Sequence, residues 1–237
     1  MNRWLPLLAL LPLSASADLF NYSFADEFAS NAPLLGDNWI DGVDQAGWIA
    51  ADFSGLRYSR NSNDGDNTIV RTNDAGFSYS IPAEATAVSL TMQTRNGAIF
   101  WEAGFAASGT PIIGAGSDFN LDNKYFILDG GTRFAETGTT ATADTVNTVL
   151  LEIDLVNSLA NLSVNATPLI TGQAVTLPAM TTANSLFIRT NSRFGGVGTF
   201  TIQTTVVPEP VSGSLAAFGL LTLLLGRSLR AGRTAND

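Results

Sequence analysis

Apolar and polar residues alternate along four stretches of this chain. In the first, Val88, Leu90 and Met92 alternate with polar residues. The same period of two runs through residues 99–105, 148–155 and 199–206. Because successive side chains of a β-strand point to opposite faces of a sheet, this pattern predicts half-buried strands. Trp101 lies in phase with the apolar positions of its stretch, so we expect its indole in the core.

Clusters of glycine, asparagine, aspartate and serine separate the alternating stretches. They occupy residues 63–67, 129–131, 157–158 and 195–198, and their composition is typical of turns. The Asp64-Gly65 pair predicts a hairpin that joins residues 56–60 to residues 68–71. Between the two ends of the chain we find no long amphipathic helix pattern. Many short strands at this spacing predict an all-β, antiparallel two-sheet sandwich for residues 18–206.

The N-terminus carries an export signal. Residues 1–3 are short and basic, residues 4–13 are apolar, and Ala15-Ser16-Ala17 forms an A-x-A cleavage motif. The apolar part is too short and too rich in proline for a stable membrane anchor. We therefore predict a signal peptide over residues 1–17, cleaved after Ala17.

The C-terminus combines three features. Pro208-Glu209-Pro210 precedes an uncharged, largely apolar segment at residues 211–226, and arginines follow at 227, 230 and 233. As a helix that segment is about 24 Å long, against a hydrocarbon core of about 30 Å, and flanking arginines lengthen the effective span by snorkelling. We predict a single transmembrane helix with the basic end in the cytoplasm and the body across the membrane. A buried helix of a soluble protein is the alternative.

This order of features resembles the PEP-CTERM sorting signal over residues 207–237. Proteins with that signal are exported by Gram-negative bacteria that make exopolysaccharide, and an exosortase, a membrane-embedded transpeptidase-like enzyme, is thought to process them. The resemblance implies that this chain is an exosortase substrate, recognised through Pro208, Glu209 and Pro210, with the cluster Arg227, Arg230 and Arg233 completing the signal. Its implied partners are the export machinery, the inner membrane and exopolysaccharide.

Composition narrows the chemistry of the body. The chain has 237 residues, no cysteine and no histidine, and its net charge is −9. Disulfides, thiolate or imidazole metal sites and Ser-His-Asp catalysis are therefore excluded. A nucleic-acid partner is not expected, because phosphate binding needs a basic surface.

Two stretches give the predicted sandwich a family resemblance. Residues 148–164 read as a strand, a tight turn and a second alternating strand, and residues 19–24 open the body, followed by Gly36-Asp37-Asn38-Trp39. Together they resemble concanavalin A/laminin-G-like (LamG-like) jelly rolls. That resemblance implies a jelly-roll sandwich, a fold that hosts lectins, hydrolases and adhesive modules alike.

Glu152 and Asp154 resemble the start of the catalytic strand of laminarinase-type glycoside hydrolases. A retaining enzyme of that kind needs two carboxylates about 5–5.5 Å apart on one face, and same-face residues of a strand are two apart. The position for the third acid holds Val156, followed by Asn157. The pattern departs from the family there, so we predict no catalytic residue and no enzymatic activity.

Oxygen ligands suited to calcium occur in residues 61–67, although Gly65 falls at the wrong position for the standard calcium loop. Asp118, Asp122 and Asp129 form a second acidic region. We predict no metal site and no cofactor, with calcium as the one candidate.

Trp39 and Trp48 flank a loop rich in glycine and aspartate, and exposed indole faces stack on sugars. We therefore name these two residues as candidate carbohydrate contacts, with core packing as the alternative.

The sequence predicts an exported, non-enzymatic cell-surface or matrix protein, anchored at least transiently and associated with exopolysaccharide or biofilm through its sandwich. A glycan hydrolase on a laminarinase-like jelly roll and a ligand-free structural or adhesive module are the alternatives.

Overall fold

The computed structural model of the chain describes residues 15–30, 32, 39–41, 48–61, 67–72, 78–96, 100–118, 124–142, 144–177, 180–190 and 195–206. Residues Ser16–Thr205 form one compact unit. A short helix, α1, spans Phe24–Glu27. The strands are β1 Ala15–Ser23, β2 Trp39–Asp41, β3 Trp48–Phe53, β4 Leu56–Asn61, β5 Asn67–Thr72, β6 Ala85–Arg95, β7 Phe100–Ala107, β8 Thr110–Asp118, β9 Lys124–Asp129, β10 Thr132–Thr140, β11 Val146–Asp154, β12 Leu159–Val164, β13 Thr167–Ala174, β14 Ser185–Thr190 and β15 Gly196–Val206.

Two large sheets form a sandwich. The six-stranded sheet has the order β1-β15-β6-β11-β12-β13, and the seven-stranded sheet has the order β10-β9-β8-β7-β14-β5-β2. The hairpin β3-β4 forms a separate two-stranded sheet. Every pair with a described register is antiparallel. The prediction of an all-β sandwich of antiparallel sheets is therefore confirmed.

The six-stranded sheet follows the predicted alternation. On β11 the inward residues Val149, Leu151 and Ile153 are fully buried, and the residues between them are partly or fully exposed. β11 turns into β12 at residues 155–158, where the Asp154 carboxylate accepts the backbone N–H of Asn157 at 2.9 Å. The predicted alternation and the predicted turn at 157–158 are both confirmed for this hairpin. The alternation arises because one face of the sheet packs against the core and the other meets solvent.

The predicted hairpin between residues 56–60 and 68–71 is wrong. β4 pairs with β3, where Tyr58 lies opposite Ala51, whereas β5 lies between β14 and β2. Residues 62–66 therefore connect strands of two different sheets. An Asp-Gly pair indicates a turn but does not specify the strand that pairs on either side.

Residues 195–198 also differ from the prediction, because Gly196 and Gly198 lie in β15 and are buried. A Cβ on Gly196 would lie 1.8 Å from the Ser59 carbonyl oxygen. A Cβ on Gly198 would lie 2.4 Å from a methyl carbon of Leu56. These glycines allow β4 to approach the backbone of β15 closely.

The two predicted sorting elements lie mostly outside the described residues. β1 begins at Ala15 and continues through Ala17, the predicted cleavage position. Residues 207–237, with the predicted transmembrane segment 211–226, are outside the described part. Among the described residues, no helix has both the length and the apolar character needed to cross a membrane.

Candidate functional site

The outer face of the seven-stranded sheet is largely buried, which the sequence did not predict. On β7, Trp101, Ala103 and Phe105 face the sandwich core, as expected for Trp101. The opposite face carries Phe100 and Glu102, and these are also buried. Five further buried residues cluster beside them on this outer face: Val70, Ala106, Phe126, Leu128 and Phe187.

Glycines form the floor of this outer face. Gly104 pairs with Gly114, and Gly116 pairs with Glu102, across β7 and β8. A Cβ on Gly116 would lie 2.5 Å from Cζ of Phe126, and one on Gly114 would lie 3.1 Å from Cζ of Phe187. The two rings therefore occupy the space that side chains on β8 would fill.

Above this floor, two arginines converge on two buried carboxylates. Arg133 Nε donates to Glu102 Oε2 at 3.2 Å, and Arg189 Nη1 donates to Glu102 Oε1 at 2.9 Å. Arg133 Nη1 also pairs with Asp118. Because β8 carries only glycine at the positions between, the Arg133 side chain can reach from β10 to Glu102 on β7.

Aromatic rings help to orient the guanidinium groups. The Arg133 guanidinium lies 4.7 Å from the centre of the Phe100 ring and 4.8 Å from that of Phe126. The Arg189 guanidinium lies 5.7 Å from the Phe100 ring centre. Such contacts, added to the ion pairs, fix the direction in which each planar fork faces.

We call this group the arginine face, defined as Phe100, Glu102, Asp118, Lys124, Arg133 and Arg189. Lys124 lies opposite Asp118 in the β8–β9 register, so it shares that face of the sheet. Side-chain exposure is 1% for Glu102 and 4% for Asp118, but 25% for Arg133 and 37% for Arg189. The carboxylates are covered, whereas both arginine side chains are partly exposed, so this surface presents arginine and not carboxylate to solvent.

The prediction that Trp39 and Trp48 are sugar-stacking platforms is wrong. Each is 1% exposed and belongs to the main core cluster. Trp39 Nε1 donates to the Tyr22 hydroxyl at 2.9 Å, and the Trp39 ring stacks on Phe24 at 5.2 Å. The flanking polar loop suggested exposure, but the indoles take inward positions of their strands.

Tyr22 belongs to a buried cluster that ties the N-terminus to the sandwich. Its hydroxyl donates to Glu27, and Arg71 approaches the same carboxylate at 3.5 Å. Burial, and then the contact with Glu27, raises the pKa of Tyr22 far above its ordinary value. This cluster is packed as core, and we assign it a structural role.

The carboxylates singled out for hydrolysis do not form a pair. Glu152 is exposed and lies opposite Ser89 on one side and Asn161 on the other, so neither cross-strand neighbour is an acid. Hydrogen bonds from the Asn157 side chain and backbone lower the pKa of Asp154, whose carboxylate holds the turn.

The residues named as calcium candidates either make other contacts or lie outside the described part of the chain. Residues 62–66 and Asp122 belong to the latter group. Asp118 is bound to Arg133, and Asp129 accepts the Thr176 N–H at 2.6 Å. Among the described residues, no group of three or more acidic side chains is arranged to hold a metal ion.

The sorting residues cannot be placed in this geometry. Those at 208–210 and the arginines at 227, 230 and 233 lie outside the described residues. Ala15 and Ala17 are in β1, at the edge of the six-stranded sheet.

Sequence reasoning missed Glu102, Arg133 and Arg189, and it named Asp118 only as a calcium candidate. No short motif joins these residues, because they come from separate strands. The available signal was an acid within the apolar run Phe100–Ala107, together with glycines at alternate positions of β8.

Comparison with known proteins adds information at the level of fold. No protein-family model matches the chain, and the search of curated proteins found no match. Domain 4 of AbnA, a GH43 extracellular arabinanase from Geobacillus stearothermophilus solved with arabinotriose, is similar with a TM-score of 0.52 and 12% identity, covering 81% of this chain and 94% of that one.

Two further solved structures are more distant. Carbohydrate-binding module CBM66 from Bacillus subtilis has a TM-score of 0.41 and 13% identity, covering 68% of this chain and 94% of that module. A mutant Trypanosoma rangeli sialidase with trans-sialidase activity has a TM-score of 0.44 and 15% identity over 65% of this chain. This chain spans only 26% of that sialidase.

Proposed function

We propose that this chain is an exported β-sandwich protein that binds glycans without cleaving them. The observation that carries the proposal is the likeness of its body, over 81% of the chain, to an arabinanase domain solved with arabinotriose. Within this proposal, the sandwich is a jelly roll of the concanavalin A/LamG-like type. Its ligand contact lies on the arginine face.

The arginine face suits recognition of hydroxyl and carboxylate oxygens. Guanidinium groups present several N–H donors in one plane, and here buried carboxylates and an aromatic ring hold that plane in position. Donors that are oriented before binding lose less entropy when a ligand arrives. An exposed aromatic residue is therefore not needed for the contact.

Binding without hydrolysis is favoured by the position of the acids. A glycosidase needs two carboxyl groups that face the substrate. Glu102 and Asp118 are only 1% and 4% exposed, and both are bound by arginines. These acids hold the arginines in position and do not face a ligand.

Export and sorting complete the proposal. The signal peptide at residues 1–17 would deliver the body across the inner membrane, and the C-terminal segment would retain it there until an exosortase acts near Pro208-Glu209-Pro210. The protein would then lie at the cell surface or in the matrix, in contact with exopolysaccharide.

A glycan array tests the ligand claim. The full chain, purified in mild detergent, should retain one or more glycans, with arabinotriose on the array, and the Arg189→Gln variant should retain them less. The array is run with and without calcium. Retention of no glycan in either condition would contradict the proposal and favour the ligand-free module. Release of reducing ends from a bound glycan would contradict the non-catalytic part.

Cell fractionation tests the sorting claim in the native type of host. A chain truncated after Val206 should be lost from the envelope and recovered in soluble fractions, whereas the full chain stays membrane-associated before processing. A variant with alanine at positions 208–210 should keep the membrane segment and remain unprocessed. Equal envelope retention of the truncated and full chains would contradict the role given to the tail.

A further inference from the structure

We infer that the arginine face selects anionic polysaccharides whose sugars carry carboxylates, such as polyuronates. This inference rests on the proposed glycan binding and names the class of glycan. Its basis is a difference in exposure between the acidic and the basic side chains. Glu102 and Asp118 are almost fully covered, whereas Arg133 and Arg189 are 25% and 37% exposed. A ligand that approaches this face meets arginine side chains before it meets carboxylates.

Local charge differs in sign from the charge of the whole chain. The arginine face holds three cationic side chains and two carboxylates, so it carries one net positive charge. The whole chain carries −9. Lys124 is the only lysine in the sequence, and it lies on this face. A positive patch on an acidic protein favours an anionic partner at that point.

Arg189 is the group best placed for ligand contact. It is the more exposed arginine, at 37% against 25% for Arg133. Arg133, by contrast, directs Nε and both Nη atoms toward Glu102 and Asp118. Arg133 therefore positions the acids, and Arg189 meets the ligand with a charge-assisted hydrogen bond.

The spread of the cations indicates an oligomer as ligand. Arg189 is on β14 and Lys124 is on β9, with β7 and β8 between them. Three strand spacings of about 4.8 Å separate the two strands by about 14 Å. A ligand that bridges this separation therefore extends over more than one sugar.

Two forms of one polymer separate anion recognition from glycan binding. Calorimetric titration of the full chain in mild detergent compares polygalacturonate with its fully methyl-esterified form, at about 0.1 M salt. We expect polygalacturonate to bind about tenfold more tightly or better, because esterification removes the charge that arginine recognises. Equal affinity for the two forms would overturn the inference and leave glycan binding standing. No binding to either form, or to any neutral glycan, would overturn both.

Variants assign the effect to the face. Arg189→Gln should weaken polygalacturonate binding about tenfold and weaken binding of the ester by a smaller factor. Arg189→Lys, which keeps the charge and loses the fork, should show a smaller loss, and it serves if the glutamine variant does not fold. Arg57→Gln is the matched control, since Arg57 pairs with Asp52 at 2.8 Å on a separate sheet. An equal loss with Arg57→Gln, or equally tight binding of polyglutamate, would overturn the inference, because net charge alone would then explain it.

Discussion

Replacing Gly116 with alanine would test the close packing beneath the arginine face. The new Cβ would lie 2.2 Å from the Trp101 carbonyl oxygen, 2.5 Å from Cζ of Phe126 and 3.0 Å from Cα of Glu102. Two of these atoms belong to the backbone of β7, so they cannot rotate away and the strands must separate. Overpacking costs about 1–3 kcal/mol and occasionally more. Backbone contact puts this case near the upper end, at about 3 kcal/mol.

Thermal and urea unfolding of the full chain, followed by circular dichroism, measure that loss. At about 2–4 °C per kcal/mol for a chain of this size, the melting temperature should fall by about 6–12 °C. Gly131→Ala is the matched control, because its Cβ would have no heavy atom within 4 Å; its stability should stay within about 0.5 kcal/mol of the wild type. If Gly116→Ala is as stable as Gly131→Ala, the glycine-floor argument is wrong.

Four other predictions concern charged and polar groups of the sandwich. Arg133→Gln should lower the free energy of unfolding by about 3 kcal/mol, because it removes one cation that pairs with two buried carboxylates. Arg189→Gln should cost only about 1 kcal/mol, since Arg189 is 37% exposed and Glu102 keeps its contact with Arg133; equal losses in urea unfolding would contradict this ranking. Asn96→Ala should cost about 2–3 kcal/mol, because the buried indole N–H of Trp101, now 3.0 Å from Asn96 Oδ1, loses that acceptor. Burial raises the pKa of three tyrosines above the ordinary value of about 10, so the stability they contribute is fully present below pH 10 and is lost as pH rises further. These tyrosines are Tyr22, Tyr79 and Tyr125. An absorbance titration should show that they ionise only when the protein unfolds. Reversible ionisation of these three residues near pH 10 in the folded protein would contradict this prediction.

Strands that are wet on one side were predictable from the sequence. β6, β11 and β15 contain the alternating stretches, since their outer residues meet solvent and their inner residues meet the core. The same logic placed Trp101 in the core, where it is fully buried. Alternation appears in a sequence where one face of a strand meets the core and the other meets solvent, and these strands have two such faces.

Strand partners and doubly covered strands were not predictable in this way. Residues 56–60 and 68–71 looked like one hairpin, yet β4 and β5 belong to different sheets. β7 was expected to be half-buried, but Glu102 on its outer face is 1% exposed. Period two identifies which residues share a face, and it contains no information on what covers that face.

The candidate site could not be predicted from the sequence, for a related reason. Tryptophan beside a polar loop suggested exposure, and both Trp39 and Trp48 are in the core. The arginine face instead combines Glu102, Arg133 and Arg189 from β7, β10 and β14. Only the sheet order brings these residues together, so no local spacing could mark them.

The net charge of the whole chain and the local charge of the arginine face act in opposite directions on an anionic polymer. At about 0.01 M salt the screening length is about 30 Å, so a polyuronate is repelled by the whole chain with its charge of −9. At about 0.1 M salt the screening length shortens to about 10 Å, and the polymer then responds mainly to the nearest groups, which are Arg133, Arg189 and Lys124. The Arg133 guanidinium resists displacement by the ligand, because it is paired with both of the buried carboxylates, Glu102 and Asp118. A fixed cationic surface on an acidic body therefore favours anionic glycans at moderate salt and disfavours them at low salt.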